Sequence, residues 1–266
     1  MRRTSISLIV ALLLTLALAA EEEGGMSENP MGDAMSAFES LTHAIKPGMD
    51  TVETNRLTFT IRKNSYILII RDDHRVVSPY VQWLSDTLKL PDEARGNMLY
   101  TLGALGDMTA AKVVMRYAAD TTMGPGVRYE AATALCLLGN AETGTQVLKN
   151  LALTNALPLN HFPPLPFLGS GLAPVKLKSA ADEKALILYM RWLAEQATDE
   201  YTIAYSVSYL LQKDDLSSDL AFRVAEKALR SPDIYLPGSN DKRDLLSKLG
   251  ALGGERGKAL AAKYAK

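Results

Sequence analysis

Residues 91–154 carry one pattern twice, 33 residues apart. Arg95 falls on Arg128, Leu102 on Leu135, Leu105 on Leu138, Gly106 on Gly139, Asp107 on Asn140 and Val114 on Val147. Self-similarity at this spacing is the mark of stacked repeats. Each unit is a pair of amphipathic helices that buries its apolar face only against its neighbours. No other feature narrows the possible folds as much.

The unit can be read residue by residue. Val127, Ala131, Ala134, Leu135 and Leu138 recur at helical spacing on one face. Gly139 then stands where a helix needs a left-handed residue to stop. Asn140 follows, a residue type able to cap the next helix, and Gly106-Asp107 repeats the arrangement one unit earlier. A turn this short makes the paired helices antiparallel, and Ala131, Ala132 and Ala134 let neighbours approach closely.

At Val127-Arg128-x-x-Ala131-Ala132-x-Ala134-Leu135-x-x-Leu138-Gly139, with Asp120 upstream of the Val-Arg pair, the chain resembles the HEAT-like repeat family of α-solenoids. The first unit departs from that pattern, with Ala94-Arg95 and the bulky Met98 and Leu99 where alanines are usual. The resemblance implies an all-α fold, an α-α superhelix of the HEAT/armadillo type. It implies little about function, because such solenoids host scaffolds, adaptors and a few enzymes. Arg62, Arg95 and Arg128 form a ladder one repeat apart. The resemblance gives them a structural role, pairing with acids between units.

The N-terminus reads as a secretory signal peptide over residues 1–19. Arg2 and Arg3 precede an apolar run from Ile6 to Leu18, too short to span a bilayer comfortably, and Ala17-Leu18-Ala19 is a small-x-small cleavage pattern. The expected location is therefore periplasmic or extracellular, with no stable membrane span after cleavage. Residues 20–32 are polar and read as a disordered linker. The solenoid domain is expected over 33–266. The formal net charge of −1 becomes two units more negative without Arg2 and Arg3, so nucleic acid is not an expected partner. Cys136 is the single cysteine; it lies between Leu135 and Leu137 and reads as a buried thiol.

Residues 33–46 are expected as a short helix. The 51–90 stretch is ambiguous: Leu57, Phe59 and Ile61 alternate, as do Tyr66, Leu68 and Ile70, which taken alone is a β-hairpin. The repeat favours helix instead, with Arg62 and Ile69 one period before Arg95 and Leu102, and Asp73 at the place of Gly106. A second helix over 75–89 puts Val77, Val81, Leu84 and Leu88 on its inner side. After residue 154 the period breaks. Residues 155–180 contain five prolines and no helical pattern, and an insertion of this length is either a strap or a binding element. Helices are expected again at 181–197, 200–212, 216–230, 241–252 and 255–265. The last pair carries Leu249-Gly250-Ala251-Leu252-Gly253, identical to Leu102–Gly106. In total the chain should hold roughly eleven to twelve helices.

The sequence carries no catalytic constellation. His43, His74 and His161 lack a second ligand at metal spacing, Gly169-Ser170-Gly171 lacks the strand–Ser–helix context of a nucleophile elbow, and neither cofactor nor metal is called for. Asp72-Asp73-His74 reads as a polar inter-helix turn. Tyr201, Tyr205 and Tyr209, at i, i+4 and i+8, form a stripe that is either a packing seam or a binding surface. His161, Phe162 and Phe167 mark the insertion as the other candidate binding element. The expected function is a non-enzymatic scaffold for protein partners. The alternative is a ligand-binding protein or enzyme with its site beneath residues 155–180.

Overall fold

The computed structural model describes residues 28–44, 51–86, 90–157, 179–213, 215–231 and 240–265. These residues are all-helical: twelve α-helices and two short 3-10 segments, with no strand among them. The helices are α1 (Pro30–Ala44), α2 (Thr51–Ile70), α3 (Val77–Ser85), α4 (Asp92–Leu105), α5 (Ala111–Ala119), α6 (Pro125–Leu137) and α7 (Ala141–Leu153). After the insertion come α8 (Ala180–Gln196), α9 (Glu200–Leu210), α10 (Asp215–Arg230), α11 (Asn240–Leu252) and α12 (Gly254–Tyr264). Helix α1 begins within the expected linker, which therefore does not extend to residue 32. The signal segment and most of the insertion, residues 158–178, lie outside the described residues.

The ambiguous stretch is one helix, α2. Its buried positions decide the matter: Leu57, Ile61, Ser65 and Leu68 are enclosed, a helical spacing that a strand would split between two faces. Ser65 and Tyr80 hydroxyls meet at 2.7 Å inside this contact. The predicted register of the first unit is off by one residue. Asp72, at φ 51, takes the left-handed place of Gly106 at φ 69, and Asp73 takes that of Asp107. Asp73 accepts from the Arg75 N–H, and Asp107 accepts from the Thr109 N–H. Each opens a 3-10 turn, His74–Val76 or Met108–Ala110, that leads into the next helix. The unit spacing is therefore 34 residues and then 33.

Helices α2, α4 and α6 lie side by side, with α4 between the other two. Helix α5 likewise lies between α3 and α7. Gly103 makes the α4–α6 approach possible, since a Cβ there would stand 2.5 Å from Ala134 Cα. Helix α5 is pinned to the preceding unit: the Tyr117 hydroxyl donates to the Leu84 carbonyl at 3.0 Å, and Arg116 donates to the same oxygen. The apolar interior falls into two cores. One runs from Ala37 to Leu138 and the other from Ala132 to Leu249. Helix α6 belongs to both, giving Val127, Ala131, Ala134 and Leu135 to the first and Ala132 and Cys136 to the second.

The expected Asn140 cap does not form. The free N–H of Ala141 instead donates to Asp182 Oδ1 at 2.8 Å, while Ser179 Oγ donates to Asp182 Oδ2 at 2.6 Å. A carboxylate on the far side of the insertion therefore caps α7, and the first turn of α8 is tied to the first turn of α7. Beyond it, α8 packs on α7, α9 on both α8 and α10, and α11 on both α9 and α12. No described helix is long and apolar enough to cross a membrane.

Candidate functional site

Helices α2, α4 and α6 contribute Ile69, Ala104 and Leu137 to a buried strip of their own, with Tyr100 packed against it. It contains no residue of the second helices, so it is separate from both cores. Phe59 and Ile70, 47% and 49% exposed, lie on the same first helix. The repeat makes part of this row: Ala104 and Leu137 hold equivalent places in adjacent units, which lie side by side.

Glu130 of α6 is the unusual residue of the row. Burial pushes its carboxyl up from 4.5 to about 7, and Arg62 of α2 only partly draws it back. No hydrogen bond or ion pair within 4 Å is formed by that carboxyl among the described residues. Arg62 stands 3.8 Å from Glu93 instead. Gly96 on α4 faces Glu130, and a Cβ there would come within 3.1 Å of Glu130 Cγ. Tyr100 and Tyr129 flank the carboxyl, and both feel its charge. The Tyr100 hydroxyl is pushed up to about 12, first by burial and then by Glu130, with Tyr66 contributing least. Tyr129 is raised further for the same first two reasons, with Tyr189 of α8 also acting on it. Asn97, the counterpart of Glu130 one unit earlier, keeps its Nδ2 buried without a hydrogen-bond partner. The Glu130 side chain thus packs against Gly96, and its charge acts on the Tyr100 and Tyr129 hydroxyls.

The residues singled out by sequence lie elsewhere. Tyr209 is only 8% exposed and belongs to the second core, with Lys213 Nζ 4.9 Å from its ring centre. Tyr205 is half-buried under Lys248 Nζ at 4.1 Å. Tyr201 is helical, but its side chain lies outside what is described, as do His161, Phe162 and Phe167 entirely. The Asp72-Asp73-His74 turn is a set of local contacts: His74 meets Asp72 at 3.2 Å and Asp107 at 3.7 Å, and Asp73 holds Arg75 at 2.5 Å. No group of three metal-ligating side chains forms among the described residues. The arginine ladder is unequal: Arg62 reaches Glu93, Arg95 pairs with Asp92 in its own helix at 3.1 Å, and Arg128 donates to the Ala118 carbonyl at 3.3 Å.

No protein-family model matches the chain, and no curated protein matches it in sequence. A solved structure of human deoxyhypusine hydroxylase in complex with glycerol is similar over 89% of this chain and 91% of its own, at 15% identity and a TM-score of 0.29. One expectation is corrected by it. The matching structure is of an enzyme, and the expectation that this protein is non-enzymatic is withdrawn. The likeness is too slight to give the chain an activity.

Proposed function

We propose that the chain is an exported, HEAT-like α-solenoid whose α2–α4–α6 row binds a protein partner. The observation that carries the reading is the row itself. It is a strip apart from both cores: Ile69, Ala104 and Leu137 are buried, while Phe59 and Ile70 of α2 leave large apolar side chains exposed. Solenoids of stacked helix pairs present such rows as extended recognition surfaces. Export is supported by Arg2, Arg3, the Ile6–Leu18 run and Ala17-Leu18-Ala19.

Site-specific photo-crosslinking in the native host tests the binding reading. A crosslinker at Phe59 or Ile70 should give a discrete adduct, and one at Lys112 on α5 should give none. Adducts at Lys112 alone would overturn the assignment of the face. N-terminal sequencing of the protein from the cell envelope should find a chain that starts near Ala20, and an intact Met1 there would overturn export.

A further inference from the structure

One stretch of sequence occurs twice in different surroundings. Leu249-Gly250-Ala251-Leu252 of α11 repeats Leu102-Gly103-Ala104-Leu105 of α4. In α4 this stretch receives α6. Gly103 lies against the Ala134 backbone, and Ala104 and Leu105 are buried. In α11 only Leu249 is enclosed, in the second core. Ala251 is exposed, Leu252 is 38% exposed, and a Cβ at Gly250 would meet nothing within 4 Å. A glycine inside a helix is less favourable than alanine, and no neighbour among the described residues requires one here. Arg243 and Ser247, two turns and one turn before Ala251, are exposed on the same face. The face thus has the residues that admit a closely packed helix, and a basic residue at its edge.

Helix α1 carries the complement. Its buried side, Ala34, Ala37 and Phe38, belongs to the chain's own packing, with Phe38 stacked on Trp83 of α3. Asp33, Ser36 and Glu39 are exposed on its outer side, and Gly32 lies one turn before Ser36. Small residues and acids on α1 therefore match small residues and bases on α11. The charges agree over the whole of both ends. Residues 28–44 hold three acids and no lysine or arginine, whereas residues 240–264 hold six lysines and arginines against three acids.

Other occupants fit less well. Two α11–α12 faces set against each other would bring like charges together. A nucleic-acid backbone would have to displace acids from the bases it needs, since Arg256 holds Asp219, Lys258 holds Glu255 and Lys263 holds Glu226.

We propose that the α11–α12 face receives α1 of a second copy of this chain, head to tail, as α4 receives α6 within one copy. The two copies use different surfaces, so the contact repeats along an open assembly unless its rotation closes a ring. The inference is independent of the α2–α4–α6 row as a partner site.

The test uses the protein as processed by its host, with Ser36→Cys and Ser247→Cys made separately. Cys136 is buried and does not compete. Under mild oxidation, a mixture of the two variants should give an intermolecular disulfide joining one to the other. Neither variant alone should form one. A disulfide in Ser247→Cys alone means that two α11–α12 faces meet, and it overturns the α1 assignment, as does one in Ser36→Cys alone. No disulfide in any sample overturns the contact. Sedimentation velocity of wild type should show association that grows with protein concentration and weakens as salt screens the two ends. A coefficient independent of concentration contradicts the proposal. Gly250→Ala should leave the helical content intact and weaken association roughly tenfold, because the added methyl blocks a close approach. Unchanged association in that variant would show that α1 does not pack at Gly250.

Discussion

The two cores enclose similar sets of leucines and alanines but are assembled differently. The first, Ala37 to Leu138, is periodic. Two of its turns use the same device: a left-handed residue, then an aspartate that accepts from the N–H two residues on, then a 3-10 turn into the second helix. The second, Ala132 to Leu249, uses long-range devices. Asp182 caps a helix 41 residues away. Lysine and arginine side chains cover ring faces, Lys248 over Tyr205 and Arg256 over Phe222 at 4.3 Å. Gly257 lies against the Leu249 carbonyl, where a Cβ would meet it at 2.1 Å. A repeat supplies its stability from neighbours of known spacing. Where the period is broken, specific side chains must supply the missing joints.

The largest effect should come from the joint itself. Asp182→Ala leaves the Ala141 N–H buried without its acceptor and removes the anchor of Ser179. A loss of about 2–3 kcal/mol is expected, as for a buried charged hydrogen bond, measured by urea unfolding. A change below about 0.5 kcal/mol would mean that the starts of α7 and α8 are held together by something else.

A smaller pair of effects sets the regions directly against each other. Gly103 and Gly250 occupy the same place in the repeated Leu-Gly-Ala-Leu-Gly sequence. A Cβ at Gly103 would strike the Ala134 backbone, whereas at Gly250 nothing lies within 4 Å. Gly103→Ala should destabilise by about 1–3 kcal/mol, as overpacking does. Gly250→Ala should stabilise by about 0.5–1 kcal/mol through helix propensity and the entropy of the unfolded chain. Two changes of the same sign would show that the α4–α6 approach is not as close as described.

The smallest effect is in pH. Asp107 and Asp120 are held below the ordinary carboxylate range, chiefly by side-chain hydrogen bonds from Thr109 and Thr122. Their contribution is present above the unfolded value of 3.8 and is lost as pH falls through the lower folded one. Glu130 acts in the opposite sense. Between 4.5 and about 7 the folded chain holds a proton there that the unfolded chain has released, so stability falls as pH rises through this window. The melting temperature of wild type should therefore decline relative to that of Glu130→Gln between pH 5 and 8. Parallel profiles would contradict the placement of Glu130.

Much of this was legible in the sequence where the determinants are local. Helix existence followed from the apolar period, and α2 followed from the repeat although its alternating residues suggested strands. The boundaries of α8 to α12 fall within one or two residues of those expected. The first turn was misplaced because Asp72 does the work of a glycine: Asp tolerates the left-handed region, and the sequence shows no Gly to mark it. Asn140 has the composition of a cap but not the role, since its competitor lies beyond the insertion and no local pattern announces it. The tyrosine stripe was ambiguous because α9 is enclosed on several faces, Ile203, Ser206, Val207 and Leu210 included, and spacing alone does not say which face is open. Glu130 was missed because a single acid two residues after Arg128 looks solvent-facing. The signal present was positional: an acid at the place held by Asn97 one unit earlier.

Because α6 is shared by both cores, the periodic and the irregular region should unfold together. The chain provides a reporter for each in its two tryptophans. Trp83 stacks on Phe38 at 3.6 Å in the first core, and Trp192 lies 5.8 Å from the Tyr189 ring in the second. Urea unfolding followed by fluorescence in Trp192→Phe and Trp83→Phe variants isolates each reporter in turn. Once each variant's stability is normalised by circular dichroism, the two reporters should give coincident transitions with the same midpoint and slope. A tryptophan transition displaced from the helical one in either variant would show that the cores melt separately and that α6 does not couple them.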